Sequence, residues 1–320
     1  MIRSRITLPF WAAALCILLL TGCSHAEKTV SPEAGSPSSG PAAQTTGEKG
    51  AFPRTIQHAK GSLVIDKKPE KVATPYIVYL DYLTVLGEPP HASQGMDMIG
   101  SFPNLKKRLE GKQVMDLGRE PSMEKLLAAS PDLIISEDEN KFTEYNKIAP
   151  TVIIPHSEDW KAQLRIIAKI IGAEEKAESV IADYEKKAAE YKEKLASKRG
   201  ETVLAAMFSG KEFTSFNRSR MGVFYEDLAL TPVEAFKQGG NFNLEGLAEA
   251  DPDYLFVVNN YVQPVAGGVM ASMKDNPIWN RLKAVKNNHV FVLDDSSVIG
   301  PMPLGKIVAI DEIMKAMSGQ

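Results

Sequence analysis

The sequence has almost no cysteine and little histidine. Its 320 residues include two cysteines, Cys16 and Cys23, which both lie near the N-terminus. Cys16 lies in a segment that is predicted to be a cleaved signal peptide, so the mature chain has no pair of cysteines to form a disulfide. The five histidines stand alone, without the H-x-H or H-E-x-x-H spacing of zinc sites. A direct metal-ion binder therefore stays open only as an assembly of residues distant in sequence.

The chain also lacks an excess of positive charge. Lysine and arginine number 37 against 40 acidic residues, which gives a formal charge of −3 at pH 7. No RNA- or DNA-binding motif accompanies this balance, so nucleic acid is not an expected partner. The apolar share of 44% and the charged share of 24% are values of a globular protein.

No apolar run is long enough to span a membrane. The longest, Ile6 to Leu20, has 15 residues, and a spanning helix needs about 20. Arg3 and Arg5 precede it and small residues follow, which predicts a signal peptide over residues 1–22; an uncleaved anchor is the alternative. The quartet Leu20-Thr21-Gly22-Cys23 resembles the bacterial lipobox, in which the cysteine becomes the lipid-modified first residue. We therefore expect an extracytoplasmic protein held at the membrane by a lipid on Cys23.

Residues 23–50 have the composition of a linker. They are rich in Ser, Pro, Gly, Ala and Thr and contain no hydrophobic cluster. Such a segment cannot bury enough surface to offset its chain entropy, so we predict a lipidated flexible tether. The folded part is predicted to begin at residue 51.

One long helix divides the folded part. Between Gly172 and Gly200, apolar residues recur at helical spacing, at Ala177, Val180, Ile181, Tyr184, Ala188, Tyr191 and Leu195. Glutamates stand at the start of this stretch and lysines at its end, which suits the helix dipole. A surface helix within one domain would fit this pattern, and so would a strut between two lobes.

The halves on either side of this helix repeat each other. Residues 123–135 and 244–256 each read as a short amphipathic helix, a Pro-Asp turn and a buried strand, and Glu124 and Glu245 occupy the same register. Alternating strand and helix signals imply parallel sheets, with ligands bound beyond the carboxyl ends of the strands. We predict two Rossmann-like α/β lobes with mainly parallel sheets, residues 51–171 and 201–320, joined by a single long interlobe helix, residues 172–200. Ile77–Val78 is read as a strand piece.

These motifs, taken in order, resemble a known family, the substrate-binding proteins of bacterial ABC importers for ferric siderophores, haem and cobalamin. The resemblance covers residues 52–318, and the siderophore branch is the most similar. It rests on segments spread along the chain: Arg54 to Gly61, Lys68 to Val72, Asp81 to Gly87, Ile148 to Val152, Ala284 to Val290 and the two glutamate segments.

The resemblance implies a monomeric receptor that catalyses no reaction and carries no cofactor, iron being present only within the bound chelate. It also implies that Glu124 and Glu245, one on each lobe, dock onto arginines of a permease made of two similar subunits. A solvated helix charge is the alternative for each glutamate.

Loops after the strands are expected to line a cleft that holds a ferric siderophore. Lys211 to Arg220 interleaves cations with aromatics, and arginine forks and aromatic faces suit the oxygens and organic shell of such chelates. The small number of cleft cations favours a hydroxamate or citrate-type chelate over a catecholate. The predicted ligand-binding residues are Tyr79, Met96, Arg119, Trp160, Lys211, Phe216, Arg218, Arg220 and Tyr261.

Two other functions remain open from the sequence. A haem or cobalamin receptor of the same fold is possible, with Met96, Met98 or Tyr261 as an axial ligand of haem. A surface-anchored enzyme is suggested by Ser122-Met123-Glu124-Lys125, which fits the S-x-x-K of penicillin-interacting enzymes, although the S-D-N and K-T-G elements are absent.

Overall fold

The computed structural model describes residues 51–319. The predicted signal peptide 1–22, the tether 23–50 and Cys23 lie outside these residues. Within residues 51–319, no helix has both the length and the apolar character that crossing a membrane requires.

The described residues form thirteen strands and ten α-helices. The strands are β1 (Arg54–His58), β2 (Gly61–Ile65), β3 (Val72–Thr74), β4 (Ala92–Ser93), β5 (Met115–Asp116), β6 (Leu133–Ser136), β7 (Thr151–Ile153), β8 (Thr202–Phe208), β9 (Phe213–Asn217), β10 (Thr231–Pro232), β11 (Gln238–Phe242), β12 (Tyr254–Asn259) and β13 (Val290–Leu293). The helices are α1 (Ile77–Val85), α2 (Pro103–Arg108), α3 (Met123–Ala128), α4 (Phe142–Tyr145), α5 (Trp160–Ile171), α6 (Glu174–Lys194), α7 (Leu244–Ala250), α8 (Gly268–Met273), α9 (Lys283–Lys286) and α10 (Pro303–Ser318).

Each lobe is built on one sheet. The first lobe has five parallel strands in the order β5-β4-β3-β6-β7, and β1 and β2 form a separate hairpin. The second lobe has six strands, five in the order β11-β9-β8-β12-β13, and β10 pairs in parallel with β8. Strands β8, β12 and β13 are parallel, whereas β9 is antiparallel to both of its neighbours, β8 and β11. The inner strands β6 and β12 are largely apolar and are buried over nearly their whole length, as is typical of strands in parallel sheets.

The predicted interlobe helix is confirmed as α6, with 21 residues. Gly172, in the left-handed conformation with φ 74°, ends α5 and allows the chain to turn into α6. The buried residues of α6 are Ala177, Ile181, Tyr184 and Ala188, spaced by four, three and four, and they form a single apolar stripe. The two-lobed α/β architecture predicted from the sequence is therefore the observed one.

The strand predicted over Ile77–Val78 is wrong, because these residues open helix α1. All residues of α1 after Ile77 are buried. A helix that is buried on every side shows no 3.6-residue alternation of apolar and polar residues, so its apolar start resembles a buried strand.

Helix α10 connects the lobes a second time. It follows the last strand of the second lobe, yet it packs against α1, α2 and α5 of the first lobe and against α6. Asp81 Oδ1 accepts a hydrogen bond from Leu304 N at 3.0 Å, and Tyr82 Oη donates to Pro301 O at 2.9 Å. These two bonds fix the start of α10 to helix α1.

Gly305 allows α10 to pack directly on the segment before it. A Cβ atom at this position would lie 2.5 Å from the carbonyl oxygen of Ser297, which is backbone and cannot rotate away. We expect Gly305→Ala to lower the free energy of unfolding by about 1–3 kcal/mol, measured by urea denaturation. Gly200→Ala is the matched control, since Gly200 has open space around it. Equal stability of the two variants would contradict this packing.

Candidate functional site

Loops from both lobes enclose a cavity of about 410 Å³. In the first lobe, Tyr76 follows β3, Glu137 follows β6 and His156 follows β7. In the second lobe, Tyr261 follows β12, and Arg220 lies three residues beyond β9. Four of these five residues follow parallel strands, at the edge of the sheet where α/β proteins bind ligands.

A neighbouring cavity of about 410 Å³ extends this space. Its charged lining residues are Asp97, Arg119 and Asp294. Tyr261 and Ser296 line both cavities, so the two are parts of one groove between the lobes. We call the two cavities together the interlobe cleft.

Aromatic side chains form one part of the cleft surface. The ring of Tyr76 packs edge-on against Tyr79 at 5.0 Å, and Phe102 lies 5.8 Å from Tyr261. Burial, and after it the nearby carboxylate of Glu137, raises the pKa of Tyr76 to about 12. The Tyr76 hydroxyl is therefore a neutral hydrogen-bonding group at pH 7.

Arg220 is held in place on the second-lobe wall. Its Nε donates to Ile299 O at 2.6 Å, and its guanidinium lies 4.3 Å from the centre of the Phe216 ring. The buried Lys306 donates at 2.7 Å to both Arg220 O and Val298 O. Burial, followed by the charge of Arg220, lowers the pKa of Lys306 to about 7. Arg220 is thus a preorganised donor, and among residues 51–319 no hydrogen-bond acceptor occupies its terminal nitrogens.

Arg119 lies on the first-lobe side, paired with an acid. Its Nη2 lies 3.2 Å from Asp97 Oδ2, and both side chains are about half exposed. The Gln94 amide donates to Arg119 O at 2.6 Å and accepts from Ile77 N at 3.2 Å, which connects this loop to the start of α1. The charge of Arg119 is largely compensated within the cleft.

Of the predicted ligand-binding residues, Arg119, Arg220 and Tyr261 line the interlobe cleft, and Phe216 lies beneath Arg220. Tyr79 and Trp160 are instead buried. The Tyr79 hydroxyl donates to Ile154 O at 2.6 Å and accepts from the Gln163 amide at 3.0 Å, so its hydrogen bonds are made within the first lobe.

The remaining predicted residues also lie away from the interlobe cleft. Trp160 packs edge-on against Tyr184 and lines a separate groove of about 340 Å³. Met96 is half-buried against the larger core cluster, and Lys211 is exposed in the turn between β8 and β9. Arg218 is exposed and donates to Tyr225 O at 2.9 Å. The structure does not bring these side chains together.

Other cleft residues were not among the predicted set. Tyr76, Glu137 and His156 do lie in loops after strands, which are the loops expected from the sequence to line the cleft. Phe102 and Met302 have no comparable signal, since they reach the cleft only through the packing of α2 and α10.

Glu124 and Glu245 occupy equivalent positions on the two lobes. Each is exposed in the first turn of a short helix, α3 or α7. Ser122 caps α3 by accepting from Lys125 N at 3.4 Å, and Asn243 caps α7 by accepting from Gly246 N at 3.0 Å. The Ser122 hydroxyl of the S-x-x-K sequence therefore acts as a helix cap.

Within residues 51–319, no group of three or more His, Cys, Asp or Glu side chains is arranged to hold a metal ion. The interlobe cleft combines aromatic rings, two arginines and several carboxylates. That combination suits an organic ligand with polar groups on its surface.

Comparisons with known proteins agree with this geometry. The chain is 32% identical over 265 residues to the iron(3+)-hydroxamate-binding protein FhuD of Bacillus subtilis, which covers 77% of this chain and 80% of the relative. It is 29% identical over 305 residues to the iron(3+)-hydroxamate-binding protein YxeB of the same organism, covering 89% and 91%.

Solved structures share the fold. A periplasmic binding protein component of a Fep/Fec-like ferrichrome ABC transporter from Bacillus subtilis superimposes with a TM-score of 0.70 at 27% identity, covering 83% of this chain and 100% of that one. The triscatecholate siderophore binding protein FeuA from Bacillus subtilis, complexed with ferri-bacillibactin, also gives 0.70, at 24% identity, covering 83% and 99%.

A model of one protein family matches residues 79–297, which include α6 and most of both lobes. The chain belongs to the periplasmic binding protein family.

Proposed function

We propose that this protein is the extracytoplasmic substrate-binding component of an ABC importer and that it captures a ferric siderophore in the interlobe cleft. The observation that carries the proposal is the shared lining of the cleft, with Tyr76 on one lobe and Arg220 and Tyr261 on the other. A ligand that contacts both walls favours the closed arrangement of the lobes, because it binds that arrangement better. The similarity to the iron(3+)-hydroxamate-binding proteins FhuD and YxeB supports iron chelates as the class of ligand.

The chemistry of the cleft fits a hydroxamate or citrate-type chelate. Such complexes present carbonyl or carboxylate oxygens around the iron and an organic shell outside them. Arg220 can donate to the oxygens, and the rings of Phe102 and Tyr261 can cover the shell. Iron enters as cargo, enclosed by the chelator.

Delivery to the permease is proposed to use Glu124 and Glu245. Their matched positions on the two lobes suit a partner with two similar subunits, each offering a basic pocket to one carboxylate. Closure of the lobes would set the spacing of the two glutamates, and α6 and α10 would limit its range. Lipid attachment at Cys23 and a monomeric state complete the proposal.

Titration of the purified protein with a panel of ligands tests this function. The panel contains ferric hydroxamate, citrate-type and catecholate siderophores together with haem and cobalamin, and binding is followed by calorimetry. Saturable binding of a ferric hydroxamate or citrate at micromolar concentration or below is the expected result. Binding of haem or cobalamin alone would keep the fold and replace the ligand, and turnover of a substrate would replace the function.

Arg220→Met should weaken binding of the ferric chelate about tenfold or more, since a charged donor to ligand oxygens is lost while the apolar stem is kept. Arg218→Met is the matched control, because Arg218 lies two residues away and is exposed outside the cleft. Calorimetric dissociation constants of the two variants give the comparison. Equal weakening by both would mean that the cleft assignment is incorrect.

A further inference from the structure

The interlobe cleft has little positive charge for a receptor of metal chelates. Besides the tyrosines Tyr76 and Tyr261, its titratable lining residues are Asp97, Arg119, Glu137, His156, Arg220 and Asp294. With the imidazole counted as neutral, three carboxylates against two guanidinium groups leave a formal charge of −1. A polyanionic ligand would therefore meet net repulsion on entering.

The two arginines are already partly engaged. Arg119 is paired with Asp97 at 3.2 Å, which cancels both charges locally. Arg220 donates one of its N–H groups to Ile299 O and lies over the Phe216 ring. The positive charge left for a ligand is therefore mainly that of the terminal nitrogens of Arg220.

Glu137 has no such partner. Among residues 51–319, nothing forms a hydrogen bond or an ion pair with its carboxylate, although the side chain is half-buried at the end of β6. Burial and the neighbouring Asp138 raise the pKa of Glu137, and His156 acts in the opposite direction. A half-buried carboxylate that faces a ligand cavity without a partner is stabilised by any cation that the ligand brings.

We propose that Glu137 contacts the ligand and selects a ferric chelate that carries a positively charged amine. This inference rests on the proposed function and narrows it, because it favours hydroxamates over citrate-type chelates. Three singly charged hydroxamates neutralise one ferric ion, so a trihydroxamate with a free amine has a net positive charge. Ferric citrate complexes are negative and lack the amine.

The geometry assigns opposite roles to opposite walls. Glu137 belongs to the first lobe and Arg220 to the second, and both line the same cavity together with Tyr76. The amine of the ligand would meet Glu137 while hydroxamate oxygens meet Arg220. A ligand with both groups would thus connect the two lobes, which is the requirement for favouring closure.

A matched pair of ligands tests the proposal on the unaltered protein. One is a linear ferric trihydroxamate with a terminal primary amine, and the other is the same chelate with that amine acetylated. We expect the amine form to bind about tenfold more tightly near pH 7. Equal affinity for the two would overturn the inference.

Glu137→Gln is the matching variant. It should remove the preference by weakening the amine form to the affinity of the acetylated form, which should itself stay within about twofold of its original value. Glu139→Gln is the control, because Glu139 is two residues away, exposed and paired with Lys60 at 2.8 Å. A preference retained in Glu137→Gln would also overturn the inference.

Failure of the inference can be separated from failure of the proposed function. Binding of ferric catecholates or citrates in place of the amine trihydroxamate would overturn the role of Glu137 and leave a siderophore receptor. If the folded protein bound none of the ferric chelates, both the inference and the proposed function would be overturned.

Discussion

Replacing Glu124 and Glu245 together by alanine is expected to abolish uptake of the ferric chelate and to leave its binding unchanged. Both side chains are exposed on short helices and neither lines the interlobe cleft. Removing the acid from a docked carboxylate–arginine pair costs about 2–5 kcal/mol, so the loss of two should reduce uptake by at least about 100-fold. Uptake of radiolabelled iron chelate, by cells that depend on this chain, measures the first quantity, and calorimetry measures the second.

Single variants and a control sharpen the result. Each single replacement should reduce uptake less than the pair does, since one docking contact remains. Glu175→Ala is the control, because Glu175 is also an exposed glutamate in the first turn of a helix, but lies on α6. Full uptake by the double variant, or loss of chelate binding in it, would refute the docking assignment.

Asp81→Asn is expected to stabilise the protein by about 2–4 kcal/mol at pH 7 and by very little at pH 4. Asp81 is fully buried, and burial raises the pKa of its carboxyl from 3.8 to about 8. One oxygen accepts from Leu304 N, and the other has no hydrogen-bond partner among the described residues. Asparagine has the shape of the protonated acid, keeps the acceptor for Leu304 N and never ionises.

The direction follows from proton binding. Between pH 4 and 8 the folded state holds a proton on Asp81 that the unfolded chain has released, so the stability that this group contributes falls as pH rises. Asparagine at position 81 does not ionise, so the stability of Asp81→Asn lacks this decline with rising pH. Urea denaturation across pH 4–8 gives the free energies of unfolding of the variant and the wild type. Taking their difference at each pH cancels the contribution of Lys306, which acts in the opposite direction above pH 7. Asp183→Asn, on the exposed face of α6, should show a difference near zero at every pH. A constant difference for Asp81→Asn would disprove the raised pKa.

The architecture could be predicted because its signals are local. Helix α6 has an apolar stripe, charged ends and a flanking Gly172, and all three are visible in a short stretch of sequence. The paired units at Glu124 and Glu245 show the same register in each half. These patterns need no knowledge of what lies across the molecule.

Which residues line the cleft could not be predicted from such local patterns, because it depends on tertiary packing. Tyr76 and Tyr79 are three residues apart, but Tyr76 precedes α1 and reaches the cleft, whereas Tyr79 lies inside a helix that is buried on all sides. Sequence alone offers no polar face that would show which ring is accessible. The choice between two such tyrosines is made by tertiary packing.

Arg218 and Arg220 illustrate a second cause. Their spacing of two would place both on one side of an extended strand. Strand β9 ends at Asn217, however, and both arginines lie in the following turn, where the alternation no longer holds. Arg220 reaches the cleft and Arg218 instead bonds to Tyr225 O.

The position of α10 also determines the order in which the molecule can fold. Ile310 and Ile313 are fully buried in the same core cluster as Leu83 of the first lobe and Phe256 of the second. During synthesis these two isoleucines are made long after the first lobe. Part of the apolar surface of the first lobe therefore stays uncovered until α10 is available. The shared core can close only once α10 is present, so the two lobes complete their packing together.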